Sequence, residues 1–503
     1  MSKAARACFA VSWMLASGGA MACAFPSYNL PIPFQLYAMG ATGALAVSFV
    51  LVGYLVNVGP AADRHVRRLE FGAGSGGLST AVGRFLVVLK ALSVYGLLLT
   101  IATGIFGSQI PIANFSVTFF FIAFVLGLAY LTALVGDIYQ LINPWSALCE
   151  WIEYRFCGTF DGRYVYPRRL AYYPALALYM GYIWIELFAN ITPLQLSKLL
   201  VAYSAFNLAG AWLFGKAIWF ERVEFLSVFF HLIGKMAPVK YVKDPSAAAG
   251  VRIETRKPFL GLIREPATEF SLLLFVLFML SSTAVDGAHK TLPWVSLFWK
   301  GIYPSLSAAA AGTPNSLAFS VHAYYGWQWL MLFVSPVAYM IVYVAFILAA
   351  KFVSGSGRSL RSLILQFAFT LVPIAFVYNM THYFTLLLGQ GYQVIRMLSD
   401  PFNRRWNLFG TAAFGGTPFI PDVSVVWHVQ VGLILAGHII SVYLAHVEAL
   451  KVFATPRRAL ASQLPMLVLM MIFTTMGLWI LSLPISAGQP ATTAVVSIGT
   501  QSR

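Results

Sequence analysis

Apolar residues in this chain do not alternate with polar ones. They come in unbroken runs, which is the pattern of membrane helices and not of half-buried strands or barrel staves. Ten runs approach or exceed the roughly 20 residues a spanning helix needs. They lie near 34–57, 84–106, 113–136, 170–190, 195–219, 268–285, 327–350, 363–388, 426–449 and 464–485. The expected fold is therefore all-α, a polytopic transmembrane helix bundle. Ahead of it, Lys3 and Arg6, a short apolar stretch and Ala20-Met21-Ala22 read as a signal peptide over 1–22, leaving 23–503 as a single transmembrane domain.

Composition sharpens this reading. Hydrophobic residues make up 59% of the 503 and charged residues only 10%, against the roughly 25% charge of a soluble domain. The net charge of +16 would point to nucleic acid in a soluble protein. Here the basic residues fall in alternate loops: Arg64, Arg67 and Arg68; Arg155, Arg163, Arg168 and Arg169; Lys235 to Arg264; Lys351, Arg358 and Arg361; Lys451, Arg457 and Arg458. That alternation makes those loops cytoplasmic and places both mature ends outside. No nucleic-acid motif is present, and membrane lipid is the expected surrounding. Cys149 and Cys157 fall in a cytoplasmic loop, where thiols stay reduced. Two inside segments, 140–156 and 221–236, read as amphipathic helices lying on the inner leaflet. The glycine-rich run 72–77 reads as a flexible linker.

Polar residues inside spans are costly and mark function. The ninth run carries His428, His438, His446 and Glu448. On a helix, His438 and His446 differ by about 80° and about 12 Å, and one small ion cannot take all three imidazoles. The eighth run carries His382 near its outer end, where it is expected to meet His428 or His438 of the antiparallel ninth. Asp286 ends the sixth run, Glu186 and Asn190 end the fourth on the same side, and Asp400 lies in the loop before the ninth. Most of these residues converge on the outer, periplasmic half of the bundle, while His446 lies near the cytoplasmic end of the ninth run. Imidazole with carboxylate suits a divalent metal ion, with His382, His438, His428, His446 and Glu448 as ligands and Asp286, Asp400 and His382 in catalytic roles. His65, His231 and His289 read as ordinary interface or loop residues.

Several stretches resemble bacterial polytopic membrane proteins of the fenitrothion hydrolase type. They are Leu30-Pro31-Ile32-Pro33, Gly136-Asp137-Ile138-Tyr139 with Asn143-Pro144-Trp145, Asp286-Gly287, His382-Tyr383-Phe384, Ser399-Asp400-Pro401 with Leu408-Phe409-Gly410-Thr411, and Gly437-His438 with Ala445-His446. The resemblance implies a membrane-bound organophosphorus hydrolase that cleaves apolar phosphotriesters to a nitrophenol and a dialkyl (thio)phosphate, with a second membrane subunit as a possible partner. The competing reading is a transporter or metal-handling channel, with the span-9 histidines as a stepped path. A haem carrier, with His382 and His438 as axial ligands, is a third.

Overall fold

The computed structural model describes residues 33–55, 67–69, 76–156, 158–244, 250–309, 316–414, 421–453 and 455–483. The expected signal peptide, His65, Cys157 and both chain ends lie outside the described residues. The main helices are α1 (Phe34–Leu55), α2 (Gly76–Phe106), α3 (Phe115–Val135), α4 (Pro144–Phe156), α5 (Tyr173–Phe188), α6 (Pro193–Phe214), α7 (Lys216–Arg222) and α8 (Phe225–Gly234), then α9 (Phe270–Ala288), α10 (Ser316–Ser354), α11 (Leu360–Gln390), α12 (Val423–Val452) and α13 (Pro456–Ser482).

Nine of these are long and apolar enough to cross a membrane: α1, α2, α3, α6 and α9 to α13. The fourth expected run is α5, sixteen residues long, or about 24 Å. It runs beside α9 over its full length. At one end the Tyr172 N–H donates to Ser271 Oγ over 3.1 Å, and at the other the rings of Phe188 and His289 sit 5.7 Å apart. Ten helices thus follow the ten expected runs. α2, α10 and α13 start earlier than expected because their polar first turns extend past the apolar stretch.

The outward faces are apolar. Phe85, Val88, Leu92 and Tyr95 on α2, and Val334, Val337, Ile341 and Leu348 on α10, are exposed at three-, four- and seven-residue spacing. Stripes of this kind face lipid tails, not water. This is a multi-pass membrane protein. The helix at the centre is α9, whose residues from Ser271 through Val285 are nearly all buried, because its sequence is apolar on every face. Small residues let the neighbours close on it and on each other. Ser335 of α10 donates to Ser281 of α9 at 2.8 Å, and Ser197 of α6 donates to the Ile101 carbonyl of α2 at 2.9 Å.

One end of the bundle carries a small antiparallel sheet, order β1-β3-β2, from β1 (Arg67–Leu69), β2 (Val239–Lys243) and β3 (Val251–Thr255). Such short strands leave no clear signal among apolar runs. The sheet docks on the end of α3: the Tyr241 hydroxyl donates to the Val135 carbonyl at 2.9 Å. Gly136 has φ +100°, and a Cβ there would stand 2.6 Å from the Val239 carbonyl oxygen, so only glycine fits this close approach.

One expected surface helix is corrected. Within 221–236, α8 is buried on nearly every face, including Phe225, Leu226, Phe229, Phe230 and Ile233. Apolar residues cover every side of it except the one that carries Ser227 and His231, so it packs inside the protein and not on a leaflet. α4 is closer to expectation, with Trp145 and Cys149 buried and Trp151, Tyr154 and Phe156 exposed. Past α9 the chain forms a further helical stretch over 292–309, where Trp294, Phe298 and Trp299 pack on Tyr324 and Trp327.

Candidate functional site at the end of the bundle away from the sheet

Three helix ends meet at the end opposite the sheet. α9 delivers Asp286 in its last turn, α11 delivers His382 and Tyr383, and α5 delivers Glu186. His382 Nε2 lies 2.7 Å from Asp286 Oδ2. The Tyr383 hydroxyl donates to the same oxygen at 2.9 Å. His289, one residue past α9, places Nδ1 2.7 Å from the Asp286 carbonyl oxygen and 3.8 Å from its Oδ1. Burial holds the His289 imidazole down to about 4. The ring is therefore neutral at physiological pH, and its Nδ1–H donates to that carbonyl. Glu186 completes the group beside Tyr383 and Tyr182.

These groups are scarcely exposed: the side chains of His382 and Asp286 keep 20% and 11% of their surface. A carboxylate held this way fixes the imidazole tautomer and stabilises the protonated ring. Among the described residues, Nδ1 of His382 has no hydrogen-bond partner. Gly287 lies against that flank, where a Cβ would stand 4.0 Å from Nδ1 but only 2.7 Å from Ile480 Cγ2, so glycine is what lets Ile480 pack beside the ring. Beside Tyr383 and Glu186 lies a cavity of about 40 Å³, lined also by Asn379, Phe121 and Leu386. That is room for water. α3 is π-helical from Thr118 to Gly127 along this wall, a distortion that accompanies functional sites more often than plain packing.

The remaining expected site residues stand elsewhere. Asp400 accepts the Arg404 and Arg405 amides at 2.7 and 2.6 Å, so both its oxygens hold a turn together. His428 is exposed and turned to α1, with Nε2 3.3 Å from the Tyr37 hydroxyl. His438 is fully buried, with Nδ1 2.8 Å from the Ile434 carbonyl. It shares a helix face with Ile434, which packs on Ala41 and Leu478, so it faces α1 and α13 and not His382. His446 lies buried two turns nearer the sheet end. Glu448 is buried there too, held by Gln366 and by Lys451 at 2.9 Å, while Lys451 also caps the Ile263 carbonyl at 2.7 Å.

His382 thus meets span 6, and neither His428 nor His438. The expected ligand set does not come together: His382 lies on α11, while His428, His438, His446 and Glu448 are spread over different faces and both ends of α12. Among the described residues, no three His, Cys, Asp or Glu side chains stand close enough to share one ion. The five expected donors, as placed, do not form one coordination sphere. His289, read as a loop residue, is part of the cluster. His231, read the same way, faces Asp137 at 3.3 Å near the sheet. Tyr383 had no sequence signal beyond its place next to His382, whereas Glu186 was marked by being an acid at a span end. In comparisons with known proteins, the chain matches no family model, no characterised protein and no solved structure.

Proposed function

We propose that this chain is a membrane-bound hydrolase in which the His382–Asp286 pair activates water against an apolar ester. The observation that carries the reading is the 2.7 Å pair, with no hydrogen-bond partner on the second imidazole nitrogen among the described residues. Phosphotriesters of the fenitrothion kind are the substrate class, drawn from the resemblance to hydrolases of that type. Such esters partition into lipid, where a site between helix ends meets them. In the reaction, Nδ1 of His382 takes a proton from water as the oxygen bonds to phosphorus. The bond from phosphorus to the aryl oxygen breaks, and the nitrophenolate leaves without needing an acid. Asp286 holds Nε2–H and stabilises the imidazolium, which then gives its proton to solvent.

A transporter reading draws on a different observation: a second carboxylate–imidazole pair, with Asp137 buried and His231 exposed, sits at the sheet end, and ionisable groups in membrane proteins also form proton relays. One assay separates them. Purified protein in bilayer nanodiscs, treated with a chelator, is expected to release nitrophenolate from a nitrophenyl phosphotriester, and Asp137→Asn is expected to match it. Wild type that releases none sinks the hydrolase reading. Equal damage from Asp137→Asn and Asp286→Asn would favour a relay.

The reading also places the sheet end in the cytoplasm of a bacterial cell and the His382 site on the periplasmic side, since Lys235, Lys240, Lys243, Arg252, Arg256 and Arg264 gather near the sheet. In a background free of other thiols, Lys257→Cys is expected to react with an impermeant maleimide only from inside and Arg404→Cys only from outside. Both reacting from one face would reverse or refute the orientation.

A further inference from the structure

A cavity of about 800 Å³ opens at the sheet end, far from His382, between α4, α7, α8 and the stretch 264–268. Its volume is that of a pocket for a cofactor-sized or drug-sized molecule. Three kinds of surface line it. Phe220, Leu232, Leu272 and Phe369 make an apolar floor. Ser146 and Thr268 supply hydroxyls that have no hydrogen-bond partner among the described residues. The third surface is cationic.

The charges decide the sign of the ligand. Three of the four acids in the wall have a cation beside them: Glu150 has Lys90, Glu221 has Arg222 and Glu265 has Lys235, while Asp137 faces the imidazole of His231. Lys243 forms no ion pair among the described residues. Lys235 is the informative one. Its side chain is only 12% exposed, and its ammonium lies 5.5 Å from the centre of the Phe369 ring. Its one carboxylate partner among the described residues, Glu265, is 3.5 Å away and 70% exposed. Burial, with Arg256 and Lys240 close by, lowers the Lys235 pKa below its ordinary value. A largely buried ammonium with a single loose, solvated counterion gains from a second anion.

We infer that this cavity binds an amphiphile with an anionic phosphate head, the phosphate against Lys235 and Lys243, the hydroxylated part of the head at Ser146 and Thr268, and the apolar body on Phe220 and Phe369. An anionic phospholipid and a soluble phosphoester share this chemistry. The site is separate from the hydrolase reading, and its test does not use hydrolysis.

Lipid-stripped protein is titrated in detergent with phosphatidylglycerol and, separately, with phosphatidylcholine, and bound lipid is counted by native mass spectrometry. Phosphatidylglycerol is expected to bind wild type, to bind Lys235→Arg comparably, and to bind Lys235→Gln about 10-fold more weakly or worse. Ser146→Phe, which fills the cavity from the opposite wall, is expected to reduce binding without touching a charge, and serves where Lys235→Gln does not fold. Inorganic phosphate that displaces the lipid assigns the site to the phosphate group itself. Phosphate that fails to do so assigns it to the lipid. Equal retention of the two lipids, or Lys235→Gln and Ser146→Phe both binding like wild type, overturns the proposal.

Discussion

His382→Gln lowers nitrophenyl phosphotriester hydrolysis by roughly 10²–10⁴-fold, the range a positioned general base contributes, while the protein stays folded. Glutamine is the sharper substitution because its amide N–H can still donate to Asp286, so the carboxylate is not left unpartnered in the bundle. His382→Ala removes both the base and that donor, and is expected to lose stability as well as activity. Asp286→Asn is expected to fall in the same activity range, since an amide fixes the wrong tautomer of His382. His428→Ala, His438→Ala and His446→Ala are expected to keep activity within a few-fold, because none of them reaches the cluster. The readout is initial rate per folded protein, with folding followed by size-exclusion profile. Activity in His382→Gln equal to wild type would remove the imidazole from the reaction.

The largest stability effect is expected at Gly477. α13 crosses α11 so closely there that a Cβ on Gly477 would fall on the Tyr378 hydroxyl and ring. Tyr378 is buried, and its hydroxyl donates to the Phe473 carbonyl at 3.3 Å. Neither side can move freely, since Tyr339 stacks on Phe473 at 5.3 Å. Gly477→Ala is therefore expected to cost about 1–3 kcal/mol, and Gly477→Leu more. Helix propensity alone would favour alanine over glycine by about 1 kcal/mol, so a net loss identifies the clash as the stronger effect. Combining Gly477→Ala with Tyr378→Ala is expected to cost less than the two changes summed, because they share one contact. Thermal unfolding in detergent reads this. Gly477→Ala that melts at or above the wild-type temperature would mean that the two helices do not cross here.

The helices were legible because each is an apolar run of near-spanning length, and length and polarity act locally. α8 was misplaced for a related reason. Ten residues rich in phenylalanine fit a leaflet surface and a protein interior equally well, and only the packing of α3, α5 and α7 around it decides. The site was half legible. Asp286 and His382 stand out as ionisable groups in or at the ends of apolar runs, which is expensive and so informative. Their pairing was not, because it depends on α9 being central, and nothing in either run says which neighbour it meets. His428, His438 and Glu448 carried the same signal for other reasons: one meets Tyr37, one packs among apolar helices, and one ties α12 to Gln366 of α11 while pairing with Lys451 of its own helix. Charge cost marks a residue as needing a partner, not which partner it has.

The central claim is that water, activated at His382 and Asp286, attacks phosphorus. Purified wild type in nanodiscs, given a nitrophenyl phosphotriester in water labelled with heavy oxygen, tests it in one mass spectrum. The account predicts nitrophenolate without label and a dialkyl phosphate carrying one heavy oxygen, with both products lost in Asp286→Asn. Label in the nitrophenol, or no product from wild type, would contradict it.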